Sequence, residues 1–140
     1  MSVSLFVSPM VHAHRLLFPR LKHVSPYIKG NLLAEARRLN RAGYRTAAVA
    51  TARAAVERRL REIAYARPDW KRPERNLGLG GLSRILFALG AFDGRTRRQI
   101  DDFADKANGG CHGSAVSKRT ARGIIFRAAQ VLSMLEGGAA

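Results

Sequence analysis

The segment Lys106-Ala-Asn108-Gly-Gly-Cys111-His112-Gly113 places an ammonium, a carboxamide and an imidazole within one short, glycine-rich stretch. An imidazole with its ordinary pKa near ~6.5 gives and takes protons around neutrality, an ammonium balances phosphate charge, and a carboxamide can both donate and accept hydrogen bonds. Together they suit acid/base work on a phosphorylated substrate. Two plainer readings stand beside this one. His112 also fits a helix-entry residue bonded to backbone, and Asn108 fits a left-handed residue at a helix end, a conformation Asn tolerates. Cys111 adjoins His112, but no third group orients the pair, so a thiol nucleophile is not expected.

The elements that must position this segment are helical by pattern. Ser25-Pro26 supplies a cap and a first-turn proline, and Leu32, Leu33, Ala36 and Leu39 share one face of a helix over about 27–42 that Gly43 ends. From Tyr44 to about Ala66, Val49, Ala52, Val56, Leu60 and Ile63 recur at spacings of three and four, with Arg45, Arg58, Arg59 and Glu62 on the other faces. Pro68 to Gly81 has loop chemistry. In it, Trp70 beside Arg67, Lys71 and Arg72 reads better as a cap on the core than as a stacking platform for a base. Leu82, Ile85, Leu86 and Leu89 give a short third helix, and Asp93-Gly94 turns the chain into a fourth over about 95–107, with Ile100, Phe103 and Ala104 inward. The glycines of 107–113 argue for a loop there. Ser117 then caps a last helix over about 118–136 that buries Ala121, Ile124, Ile125, Ala128, Val131, Leu132 and Leu135. No strand pattern competes, so the expected fold is all-α: a bundle of four to five helices with two long antiparallel core helices.

The 140 residues, 46% of them apolar, suffice for one core, read as residues 25–140. Residues 1–24 are expected to form a basic arm or short helix; their lack of acid is also seen in targeting segments. His12-Ala-His14 has no acid or Cys nearby, so no metal and no cofactor is expected. Lys and Arg number 25 against 10 Asp and Glu, a net charge of +15, which points to an acidic partner, RNA or other nucleic acid first. Twenty of the 25 are Arg, however, and GC-rich coding can raise Arg content by itself. No apolar run reaches the 18 residues that suggest a membrane span, and a single cysteine forms no internal disulfide. Both fit a cytoplasmic protein.

A short helix, a turn, a second helix, then a basic residue, Asn, a small-residue stretch and His before a long final helix resembles the HEPN (higher eukaryotes and prokaryotes nucleotide-binding) superfamily. Gly43-Tyr44-Arg45-Thr46-Ala47-Ala48 leading to Ala52-Arg53-Ala-Ala-Val-Glu57 looks like the second helix of short bacterial members. The resemblance covers about 27–137. It implies a HEPN-like bundle and a metal-independent ribonuclease, in which His112 is the acid/base, Lys106 the phosphate ligand, Asn108 a positioning group and Glu57 a support. The family motif has Arg where this chain has Lys106, and a compact point charge cannot grip two phosphate oxygens as a guanidinium does. Arg97, Arg98, Lys118, Arg119 and Arg122 flank the segment and are the expected phosphate contacts. The resemblance also implies a homodimer and leaves two other readings open. One is a catalytically silent interaction module, such as an antitoxin or defence-complex partner. The other is a basic structural protein of a ribonucleoprotein. Glu57 reads equally well as the surface partner of Arg53 or Arg61.

Overall fold

The computed structural model describes residues 31–72, 76–112 and 115–138, with His112 described by its backbone alone. The proposed arm of residues 1–24, the Ser25-Pro26 cap and His12, His14 and His23 lie outside the described residues. Among those described there are five α-helices and no strand: α1 Leu32–Arg41, α2 Arg45–Tyr65, α3 Leu79–Ala88, α4 Gly94–His112 and α5 Lys118–Gly138.

Each boundary has a chemical cause. Asn31 stands outside the helix immediately before α1, so α1 starts later than the expected 27, and Glu35 in its first turn complements the helix dipole. At its end Gly43 takes φ +93°, with the Gly43 amide bonding the Asn40 carbonyl and the Tyr44 amide bonding that of Leu39. This paired capping absorbs carbonyls the helix leaves open. Gly90, at φ +79°, ends α3 in the same way, through the Gly90 amide to Phe87 and the Ala91 amide to Leu86. Asp93 then caps α4 by accepting the Thr96 amide at 2.8 Å. Ser117 caps α5 as expected, its hydroxyl oxygen accepting the Thr120 amide at 3.0 Å.

The core follows the helical stripes. Val49, Ala52, Val56 and Leu60 of α2, Leu82 and Leu86 of α3, Ile100 and Phe103 of α4, and Ile124, Ala128, Val131 and Leu135 of α5 are buried in one cluster. Ile63 is only partly buried, and Ala64 takes the fully buried place beside it. Each large side chain withdrawn from water contributes roughly 1.5–3 kcal/mol. Trp70 packs its ring against this cluster, as a cap on the core. The buried Ser83 hydroxyl donates to Asp101 at 2.9 Å, joining α3 to α4.

The expected fourth helix of 95–107 followed by a loop over 107–113 is corrected: α4 continues through Asn108-Gly-Gly-Cys111 to His112. Glycine here serves close packing. A Cβ on Gly110 would stand 3.0 Å from Val49 Cγ1 and 3.3 Å from Ile124 Cδ1, so the bare backbone lets α2, α4 and α5 converge. That convergence offsets the roughly 1 kcal/mol that Gly110 costs inside a helix. Three helices are therefore long. The end of α2 meets the start of the α3–α4 turn, where Arg67 donates to the Leu89 carbonyl at 2.7 Å, while its beginning meets the end of α4 at Gly110. Hence α4 runs antiparallel to α2. Contacts from Asp102 to Arg127 and from Gly110 to Ile124 set α5 antiparallel to α4 in turn. The antiparallel partner of each outer long helix is thus α4, and α2 and α5 point the same way.

Candidate nucleic-acid interface

Lys106 projects from the exposed side of α4 and is held by Asp102 one turn earlier, its Nζ lying 3.0 and 3.2 Å from the two carboxylate oxygens. Arg127 of α5 reaches the same carboxylate at 2.8 Å. The hydrogen bond from Lys106, aided by the nearby charges of Lys106 and Arg127, holds the Asp102 carboxyl below the usual carboxylate range. Beside this trio opens a cavity of about 540 Å³ lined by Gly109, Gly110, Ser117 and Thr120 as well as Lys106 and Arg127. Asp102 thus sets one negative charge against the two cations that would face a phosphate there.

Of the four residues to which the resemblance gives a catalytic role, only Lys106 lines this cavity among the described side chains. His112 is the last residue of α4, and its side chain lies outside the described residues. Asn108 is exposed on α4 two positions beyond Lys106, roughly 200° further round the helix. Its reading as a left-handed residue is corrected, because no non-glycine residue among those described has positive φ. Glu57 accepts from Arg61 at 2.8 Å and lies 3.6 Å from Arg53. Arg61 also donates to the Leu77 carbonyl at 2.9 Å, so this ladder ties the long loop to α2. Its partners are those the surface reading named.

The flanking cations divide. Arg97 lies over the Phe87 ring at 4.9 Å and against Asp101 at 3.4 Å, a tether between α3 and α4. Arg98 and Arg119 are exposed. Lys118 and Arg122 line a second groove, of about 430 Å³, between α1 and α5, together with Arg37, Asn40, Arg41, Ile125 and Phe126. The Asn40 side-chain amide donates to the Lys118 carbonyl at 3.4 Å and so ties the end of α1 to the start of α5. None of Arg37, Arg41, Lys118 and Arg122 forms an ion pair among the described residues, and no acid lines the groove.

Helix spacing explains the contrast. Nearly every paired cation has an acid three or four residues away: Glu35 with Arg38, Glu57 with Arg53 and Arg61, Glu62 with Arg58 and Arg59, Asp101 with Arg97, Asp102 with Lys106. Arg37, Arg41, Lys118 and Arg122 have none at those offsets. Charge alone did not single out Arg37 and Arg41; the absence of a helical acid neighbour was the available signal. Four cations around one concavity, framing an exposed aromatic ring and with no acid among the described residues lining it, can hold the phosphates of a polyanion.

Against family models, curated proteins and solved structures, the chain has no match.

Proposed function

We propose that this chain is a nucleic-acid-binding helical domain whose main phosphate contacts are Arg37, Arg41, Lys118 and Arg122 in the groove between α1 and α5. The observation that carries this reading is that these four cations line one groove with no acid in its lining and with no ion pair among the described residues. Elsewhere several cations are paired with carboxylates, as Lys106 and Arg127 both are with Asp102. The first acid in the sequence is Glu35, so residues 1–34 bring no carboxylate side chain to compete.

Ribonuclease action by Lys106 and His112, and the homodimer and defence or antitoxin partners that go with it, rest on the HEPN resemblance. RNA is the polyanion that resemblance favours. At that segment Asp102 sets its charge against Lys106, whereas the four cations of the α1–α5 groove have no ion pair among the described residues. The binding reading therefore stands first.

The test is fluorescence anisotropy with a labelled mixed-sequence RNA strand across a range of salt. Four phosphate contacts give a slope of log affinity against log salt near −3, from about −0.7 per contact on a single strand. A variant with all four cations changed to Gln loses most of that slope. Affinity that is absent at low salt, or unaffected by the four changes, overturns the reading.

A further inference from the structure

Phe126 is 63% exposed on a helix whose neighbouring Ile124 and Ile125 are buried, and it lies in the groove with the four cations that have no ion pair among the described residues. It follows Arg122 by one helical turn, as Arg122 follows Lys118, so the α5 wall reads cation, cation, ring. Arg37 and Arg41, also one turn apart, form the facing wall on α1. Of the exposed large hydrophobic side chains among the described residues, Tyr44, Tyr65 and Phe126, it is Phe126 that lines this groove.

Asn40 adds a second polar feature. It is 5% exposed and lines the groove, and its amide nitrogen donates to the Lys118 carbonyl at 3.4 Å, which pins the α1 wall to the start of the α5 wall. The groove thus offers a π face and cations for phosphate. In a duplex the faces of the bases are stacked on one another; in a single strand they are available. A cavity of about 430 Å³ falls within the range of roughly 300–1,000 Å³ that holds a small ligand, which suits one splayed nucleotide.

We infer that the α1–α5 groove selects unpaired over paired nucleic acid, with Phe126 stacking one base while Arg37, Arg41, Lys118 and Arg122 hold the flanking phosphates. This rests on the nucleic-acid reading above and adds the strandedness and the residue that sets it. Stacking on an aromatic face tolerates any base, so the preference is for strandedness rather than sequence.

The experiment compares three labelled probes of equal length by anisotropy: an oligodeoxyadenylate, an abasic strand with the same phosphates, and a blunt duplex. Wild type is expected to bind the oligodeoxyadenylate most tightly. Phe126→Ala lowers that affinity roughly 5- to 100-fold, leaves the abasic strand and duplex unchanged, and keeps the salt slope, since no phosphate contact is lost. Phe126→Trp restores the preference. Phe126 is largely solvent-exposed, so a circular dichroism melt matching wild type is expected for both variants. Equal binding of all three probes, unaltered by Phe126→Ala, overturns the strandedness inference and leaves phosphate binding intact. Failure of wild type to bind any probe at low salt overturns the underlying reading as well.

Discussion

The pair Gly109 and Gly110 allows a sharp test of the packing, because two adjacent residues of one helix are expected to respond oppositely to the same substitution. Alanine is better than glycine in a helix interior by about 1 kcal/mol. At Gly109 nothing lies within 4 Å of the added Cβ, so Gly109→Ala collects that gain. At Gly110 the Cβ meets Val49 Cγ1 at 3.0 Å and Ile124 Cδ1 at 3.3 Å. Val49 is wholly buried, and as a β-branched residue in a helix it has essentially one side-chain rotamer, so it cannot swing aside. Overpacking of this kind costs about 1–3 kcal/mol, which cancels or exceeds the helix gain. The two variants should therefore differ by about 1–3 kcal/mol. For a domain of this size that separates their thermal midpoints by roughly 3–15 °C, Gly109→Ala above wild type and Gly110→Ala at or below it. Circular dichroism melts at neutral pH, with urea titrations to extract free energies, read both. If Gly110→Ala is stabilised as much as Gly109→Ala, the convergence of α2, α4 and α5 on that backbone is wrong.

Other expectations follow from single contacts. Ser117→Ala removes the cap on α5 and should cost about 1 kcal/mol, seen as a lower urea midpoint with unchanged slope, whereas Ser117→Asp should keep it. The carboxyls of Glu35 and Asp102 are held below their ordinary values chiefly by hydrogen bonds from Arg38 and Lys106, and that of Asp93 by the Thr96 amide. A depressed folded-state pKa means that the stabilisation is fully present above the unfolded value and is lost as pH falls through the folded one. The urea midpoint should thus stay level from neutrality to about pH 5 and drop below about pH 4, and a midpoint that rises on acidification contradicts these pairings. If the 106–112 segment is catalytic, RNA cleavage in EDTA should vanish in His112→Ala and hold or rise in Lys106→Arg. Cleavage that survives His112→Ala places the activity elsewhere.

Periodicity was enough to locate the helices and most of the core, because burial at spacings of three and four leaves a direct imprint on residues such as Val49, Val56, Leu60, Ile124 and Leu135. It failed at 107–113 for a physical reason. Two glycines lower helix propensity whether they mark a turn or admit a neighbour, and only the positions of Val49 and Ile124, distant in sequence, distinguish the cases. The candidate site was half legible. Lys118 and Arg122 were named from charge as flanks of the 106–112 segment, and they, Arg37, Arg41 and Phe126 come together in one groove only when α1 is laid beside α5, which no local pattern states. Glu57 and Lys106 illustrate the converse: a charged residue that looks poised for chemistry is occupied by a partner one turn away.

The two walls of the α1–α5 groove differ in how firmly they are anchored. α2, against which α5 packs, has seven buried residues, whereas α1 supplies Ala36 to the apolar core with Leu33 and Leu39 only partly buried. Local opening is cheapest where least apolar surface is lost, so α1 amides should exchange with deuterated water well before those of α2. A polyanion spanning both walls binds only while α1 is docked, and by linkage it stabilises that docked form. Occupancy would then be written into the exchange rates of α1, and a substitution that loosens α1 without touching the ligand, such as Ala36→Gly, would weaken affinity by shrinking the population of the competent groove.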